Sequence, residues 1–410
     1  MKFMLLNGHG IRMNIDGAKL HVRDGKFSTK EEPASYVFAP KKIDVDSIAI
    51  YGQSGTISIP AIRWLVKQGV QVSVLNWDGK LLTTMLPPES VQVKTKFDQY
   101  RAYENIGLRI QIARKLIEAK FARTRLVLDY LGQRYTNIGT DIERDASKLS
   151  DTNTIREVMG VEGAVAQLYW SEFQKIIPDK YEFDGRNIGK TGRPMGAVDH
   201  VNCMLNYGYS LLEAECLRAI NSTGLDAHVG FLHEMQAGKY SLAYDLQEPF
   251  RFLVDLAVIT LIESEAMAKG DFVRTENYNL RLRPAGARKV TEEVNRWFNK
   301  VVEYQGKETV WSYVIFLKTR ELAHYLTEKK RKLDFASPSY EIDRQDSDEM
   351  RRKILAIPYA EWKKMGFSKG TLFYLKKNAR DGKPFTMNKH VRERLEQWEC
   401  YEDLPLGSPV

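Results

Sequence analysis

The stretch IREVMGVEGAVAQLYWSEFQKI, Ile155 to Ile176, places Ile155, Val158, Val165, Tyr169 and Phe173 at steps of three and four, with Glu162 in the same register. That spacing predicts one amphipathic helix with these positions on its inner face. Glu162 then stands on an apolar stripe, between Gly160 and Gly163, which leave space beside it. A carboxylate buried bare is very costly, so it must pair, bind a metal or take up a proton. A slight rotation of the helix would instead let it reach solvent or an arginine.

The helical period of this stretch extends from about Ser90 to Lys332. What precedes it reads as strand. Ile11–Ile15 and Leu20–Val22 flank Asp16-Gly17, and Asp24-Gly25 closes the next turn. Ile43–Tyr51 and Val70–Leu75 are rich in β-branched residues, and Asp78-Gly79 joins the latter to Leu81–Met85 as a hairpin. One helix, Pro60 to Gln68, interrupts them, and Pro87-Pro88 marks a boundary. The expected fold class is α+β and multidomain: a small β-rich N-terminal domain (1–88), a larger all-α domain (89–332), a polar linker (333–350) and a basic helical domain (351–400).

The chain has 410 residues, 43% hydrophobic and 28% charged, which excludes a disordered tail, a collagen-like repeat and a coiled-coil rod. No run approaches the ~18 apolar residues that cross a bilayer, and no signal-peptide pattern opens the chain, so a cytoplasmic protein without a membrane partner is expected. Cys203, Cys216 and Cys400 are sparse and unpaired in the sequence, as suits a reducing compartment, and form no zinc motif. The net charge of +8 is concentrated: residues 351–400 hold 13 Lys plus Arg against 5 Asp plus Glu. Such a footprint favours a polyanion, most often nucleic acid, over a merely solvated face.

Within that segment, Tyr359–Lys364 ends at Met365-Gly366-Phe367. Ser368 can then cap a basic helix carrying Lys369, Lys376, Lys377 and Arg380. A short helix, a tight glycine turn and a basic helix together resemble a helix-turn-helix, whose second helix can lie in the DNA major groove. Arg101, Arg109, Arg114, Lys115, Lys120, Arg123 and Arg125 accompany an apolar stripe between Arg101 and Leu131. They read as a phosphate groove or as an ordinary charged face. Residues 182–200 form a Gly-rich loop containing Arg193, of a length usually functional or mobile.

The second chemical cluster is HEMQAGKYSLAYDLQEPFRFLVD, His233 to Asp255. A helix would bring Asp245, Glu248 and Asp255 onto one face with Phe252. Asp245-x-x-Glu248 with Pro249 also reads as a capping box, and a lone histidine as a structural one. A cap and a ligand can coexist. Two carboxylates and one imidazole form a hard donor set suited to Mg²⁺ or Mn²⁺, which can activate a hydroxyl and stabilise charge building on a phosphate.

GVEGAVAQLYW around Glu162, VNCMLNYGYSLL from Val201, and the segment from His233 to Asp255 together resemble the three signature regions of the CRISPR-associated protein-one family, the DNA integrases of spacer acquisition. The likeness spans about residues 1–330. It implies that Glu162, His233 and Glu248 are the catalytic and metal-ligating residues, although many members carry aspartate at Glu248. It also implies supporting roles for Asp245, Asn206, Tyr207 and Arg251. Residues beyond about 330 depart from most members and resemble the casposase branch, whose members insert transposon DNA and carry a C-terminal helix-turn-helix. The implied activity is a metal-dependent transesterification joining 3′-hydroxyl donor ends to double-stranded target DNA, by a homo-oligomer, dimeric at least through its N-terminal domain. Lys369, Lys376, Lys377, Arg380 and Arg193 are the expected DNA contacts. Two alternatives stand beside it: a CRISPR spacer-acquisition integrase that needs that system's small adaptation partner, and a non-catalytic DNA-binding protein.

Overall fold

Residues 3–85 form two four-stranded sheets and one helix in the computed structural model of the chain. It describes residues 3–26, 32–52, 54–76, 79–86, 93–135, 137–186, 196–276, 279–340 and 345–380, together with 391, 394, 395 and 398. In order come β1 (Phe3–Gly8), β2 (Ile11–Asp16), β3 (Lys19–Arg23), β4 (Ser35–Phe38), β5 (Ser47–Gly52), β6 (Gly55–Ile57), α1 (Ile59–Lys67), β7 (Gln71–Leu75) and β8 (Leu81–Met85). The first sheet is ordered β1-β5-β7-β8, parallel apart from the β7–β8 pair, and the second β4-β3-β2-β6.

Met13, Leu20 and Val22 alternate inward from β2 and β3 and meet Ile48, Ile50 and Val72 beneath Trp64 and Leu65 of α1. Ser58 caps α1 by accepting from Ala61 N at 3.2 Å, and Trp64 Nε1 donates to Ala18 O at 3.1 Å. The first sheet is covered on both faces. Leu6, Ile48 and Val72 join this small core, while Leu5, Ala49 and Leu75 pack into the core of the helical region. Burial on both sides explains why its strands read as continuous apolar runs. The buried Asp24 does more than close a turn: it accepts from Asn7 N at 2.7 Å and pairs with Arg288 at 2.8 Å, tying the sheets to the helices. Strands β1, β4 and β6 lie outside those expected.

The helical region contains α2 (Val93–Glu104), α3 (Ile106–Gly132), α4 (Glu143–Ala146), α5 (Ile155–Gln174), α6 (His200–Thr223), α7 (Ser241–Gln247) and α8 (Arg251–Glu263). The hairpin β9 (Phe272–Arg274)–β10 (Leu280–Leu282), α9 (Pro284–Phe298), the hairpin β11 (Val301–Tyr304)–β12 (Lys307–Val310) and α10 (Trp311–Leu326) follow. Helix α6 is buried on every turn and forms the axis of this core. Asp199 caps it by accepting from Asn202 N at 2.7 Å. Cys203 and Cys216 lie on it, buried and unbridged. No helix among the described residues is long and apolar enough to cross a membrane.

The expected linker at 333–350 is corrected in two places. Leu333 and Phe335 are buried in the main core, and Tyr340 meets Trp311 edge-on at 5.4 Å, because the chain after α10 folds back over α3. Helix α11 (Gln345–Ala356) then begins within the same range, followed by α12 (Tyr359–Lys364) and α13 (Lys369–Arg380). Trp362, Ile354, Leu372, Leu375 and Leu395 give these helices an apolar core of their own. Gly366 makes the turn between α12 and α13 at φ +85°, a conformation that favours glycine. Ser368 Oγ accepts from Thr371 N at 3.1 Å.

Candidate active site

Helix α5 presents Val158, Val165, Tyr169 and Phe173 to the core, and Glu162 lies in that register with its side chain 23% exposed. A Cβ on Gly160 or Gly163 would meet nothing within 4 Å, so the helix surface beside the carboxylate is open. Across from it, α3 buries Leu116, Ile117, Thr124, Val127 and Leu128, and Lys120 falls on that same stripe. Glu162 and Lys120 are therefore a complementary pair of charges on two facing apolar stripes, and they form an ion pair.

Glu248 completes the group. It opens a 3-10 turn, Glu248–Phe250, between α7 and α8, and is 5% exposed. Arg251 Nε donates to its Oε1 at 3.0 Å. Lys120 Nζ lies 2.6 Å from Oε2 but off the hydrogen-bonding direction, so that buried oxygen is held by charge alone. Burial alone would raise the Glu248 pKa, but Arg251, Lys120 and His233 overcome it and hold the carboxyl at about 2. Burial likewise opposes the Lys120 ammonium, yet Glu248 and Glu162 keep its pKa above the ordinary value.

The capping-box reading of Asp245 is corrected. Asp245 lies inside α7, and its carboxylate points back to the preceding loop rather than capping the next helix. It accepts from the backbone N–H groups of Phe231, Leu232 (3.0 Å) and His233 (2.9 Å), and meets His233 Nδ1 at 2.8 Å. Gly230 is required for this close approach, since a Cβ there would sit 2.8 Å from Asp245 Oδ2 and from Ser241 C. Engaging Nδ1 leaves Nε2 of a neutral His233 as the free lone pair. Burial lowers the His233 pKa, but Asp245 and Glu248 outweigh it and set the pKa above its usual value.

Glu248, Phe252 and Asp255 all line one cleft, as the spacing predicts, and only Asp245 turns away from it. Asp255 is buried and accepts from Tyr169 OH at 2.9 Å and Tyr209 OH at 2.5 Å. Arg251 lies over the Tyr209 ring at 4.6 Å and Arg186 over it at 5.4 Å. Arg186 Nη1 donates to Asn202 (2.7 Å) and Asn206 (3.0 Å). Asn206 thus supports this cluster, whereas Tyr207 turns away into the core, meeting Thr291 at 3.2 Å and the Tyr51 ring at 5.5 Å. The resulting cleft, of about 750 Å³, is walled by Lys120, Glu162, Trp170, Arg186, Glu248 and Arg251. His233 lies outside that wall, close enough to Glu248 for their charges to interact.

Sequence reasoning overlooked Lys120, Arg186 and Tyr209 as parts of this cleft. The signal for Lys120 was present, since it breaks the α3 stripe just as Glu162 breaks that of α5. Of the other cations in the α3 region, three are turned toward partners within the fold. Arg109 and Arg114 donate to Phe231 O and Thr152, and Arg123 is buried, donating to Ala336 O at 2.8 Å and to Pro338 O. Lys369, Lys377 and Arg380 are exposed on α13. Lys376 instead donates to Ile357 O at 2.7 Å, which occupies it within the small helical core. Arg193 lies outside the described residues.

Two carboxylates and an imidazole nitrogen, with a buried carboxylate oxygen lacking a hydrogen bond, fit a hard divalent cation in donor chemistry. Among the described residues, no three His, Cys, Asp or Glu side chains are grouped tightly enough to hold one, because Lys120 stands between Glu162 and Glu248.

Residues 11–296 match the family described as CRISPR associated protein Cas1. A CRISPR-associated endonuclease Cas1 of Archaeoglobus fulgidus is 30% identical over 348 residues, covering 80% of this chain and 97% of the relative. A solved structure described as a casposase bound to integration product is 62% identical, with a TM-score of 0.82 over 88% of this chain and all of that one. A Cas1 protein from Thermotoga maritima shares the fold, with a TM-score of 0.67 at 19% identity, covering 83% of this chain and all of that one. The chain belongs to the Cas1 family.

Proposed function

We propose that this chain is a divalent-metal-dependent DNA integrase of the casposase type, joining the 3′-hydroxyl ends of transposon DNA to target DNA. The observation that carries the reading is the convergence of Glu162 and Glu248 on one cationic position in an arginine-lined cleft. The 62% identity to a casposase bound to integration product supports it. In the reaction the donor 3′-oxygen forms a bond to a target phosphorus, and the target's own 3′-oxygen leaves as a hydroxyl. No covalent link to the protein is needed.

Glu162, Glu248 and Nε2 of His233 would hold Mg²⁺ or Mn²⁺, which when bound supplies Lewis acidity toward the hydroxyl and the phosphate. Arg251 is fixed by Glu248 and the Tyr209 ring, and Arg186 by two asparagines. Both guanidiniums are thus preorganised to take phosphate oxygens without reorganising. Asp245 holds the imidazole in one tautomer and orientation. Residues 1–88 would dimerise the protein, 89–332 carry the chemistry, and 351–400 grip double-stranded DNA through Lys369, Lys377 and Arg380, with Arg193 added from the 182–200 loop.

The test is joining of a labelled oligonucleotide to plasmid, with sequenced products, with and without Mn²⁺ or Mg²⁺. Glu162→Gln, His233→Ala and Glu248→Gln should each reduce joining at least 100-fold while DNA binding persists. Full joining by all three would remove the assignment of these residues, whereas DNA binding without joining by the unaltered protein would leave the non-catalytic DNA-binding reading. Coverage of 97% of the Archaeoglobus relative favours a second reading, spacer acquisition. That reading requires a small partner protein and a repeat array, whereas a casposase acts alone on its inverted-repeat ends.

A further inference from the structure

We propose that Lys120 is a built-in counter-ion that holds the divalent-cation position of the cleft and must be displaced for the ion to bind, so that it sets the affinity of the site. This rests on the reading of Glu162 and Glu248 as ligands of that ion.

The ammonium lies between the two carboxylates, which are its ion-pair partners among the described residues. Without a cation there, two carboxylates on a mostly buried surface would repel each other across a low-dielectric gap. With Lys120 in place the cluster is close to neutral. A divalent ion added beside the ammonium would face its charge as well as that of Arg251. One of the two side chains has to give way.

The geometry selects Lys120. Arg251 is clamped: its Nε donates to Glu248 Oε1 at 3.0 Å, and its guanidinium stacks on Tyr209 at 4.6 Å. Lys120 carries a point charge on a flexible alkyl stem, 19% exposed, in the wall of an open cleft. The surface beside Glu162 is unfilled at Gly160 and Gly163, so carboxylate and ammonium both have room to part. Once released, the ammonium remains in the cleft wall beside Arg186 and Arg251, where an incoming phosphate can pair with it. The arrangement makes ion binding and phosphate binding mutually favourable, because each relieves a charge conflict that the other creates.

The test measures Mn²⁺ binding to the full chain, by titration calorimetry or by electron paramagnetic resonance of free Mn²⁺. Lys120→Met should bind Mn²⁺ at least tenfold more tightly than the unaltered protein, and Lys120→Arg no more tightly. In chelator, Lys120→Met should melt below the unaltered protein, and Mn²⁺ should raise its melting temperature by the larger amount. If Lys120→Met does not fold, the unaltered protein still decides: acetylation of Lys120, read by mass spectrometry, should accelerate when Mn²⁺ is added. Equal or weaker Mn²⁺ binding by Lys120→Met, or unchanged Lys120 acetylation while Mn²⁺ binds, would overturn the inference. If Glu162→Gln and Glu248→Gln still abolish binding in that case, the ligand assignment survives. Loss of the inference together with that assignment would be read from Mn²⁺ binding that neither glutamate variant alters, or from no Mn²⁺ binding by the unaltered protein.

Discussion

Asp245 shows how much of one side chain's behaviour, that of His233, is set by a single neighbouring carboxylate. Its two oxygens gather three consecutive backbone N–H groups and one ring nitrogen, so the loop from Phe231 to His233 has a single shape. The same carboxylate fixes the imidazole rotation and stabilises its protonated form. Asp245→Asn preserves the size of the side chain and one acceptor but removes the charge. Joining activity should fall about 10- to 100-fold, the usual range for losing such an outer partner. A merely structural loss would leave the surviving imidazole's titration alone. Here the His233 pKa, followed by NMR of the ring protons, should drop, because burial still lowers it and its strongest opponent has gone.

At the scale of elements, the site is the meeting of two helices that each break their own apolar stripe. Glu162 was legible because α5 is cleanly periodic and Glu162 stands between two glycines within it. Lys120 sits at an equivalent break in α3, but six other cations between Arg101 and Arg125 masked it. Asp245 was misread because its partners lie twelve to fourteen residues upstream, a relation that local cap rules do not contain. The first sheet was only partly legible, since strands buried on both faces lose the alternation that announces them. Helix α6 illustrates a further consequence of burial, at one of its partly buried positions. Glu213 on that helix is driven by burial to a pKa of about 7, with Tyr244 and Arg251 only partly countering it. A carboxyl raised in the folded state binds its proton more strongly than in the unfolded chain. Its contribution is therefore present at pH 4 and is lost as pH rises from about 4.5 to 7. Glu213→Gln should leave the melting temperature near pH 4 unchanged and raise it by a few degrees at pH 8. The free-energy gain there has an upper limit of about 3 kcal/mol.

Across the whole molecule, the C-terminal part divides at a point that charge counting does not reveal. Residues 333–340 belong energetically to the helical body. Phe335 is 1% exposed in the main core, and Ala336 and Pro338 supply the carbonyls that satisfy the buried Arg123. Beyond them, α11, α12 and α13 pack around Trp362 in a separate core. Two truncations should accordingly behave in opposite ways. Ending the chain after residue 344 should leave the melting transition of the helical body in place. DNA binding would weaken, and the slope of log K against log salt would become shallower by about two to three, as Lys369, Lys377 and Arg380 leave the phosphates. Ending it after residue 332 removes Phe335 and strands the Arg123 guanidinium between Phe252 and Trp311 with no carbonyl acceptor. Loss of a buried aromatic alone costs about 3–5 kcal/mol, and an unsatisfied buried donor adds about 1–3 kcal/mol. The shorter protein should melt many degrees lower and lose joining activity through instability. Equal melting temperatures for the two truncations would mean that the segment at 333–340 lies on the core without supporting it. An unchanged salt slope after the first would assign the basic helices to some partner other than DNA.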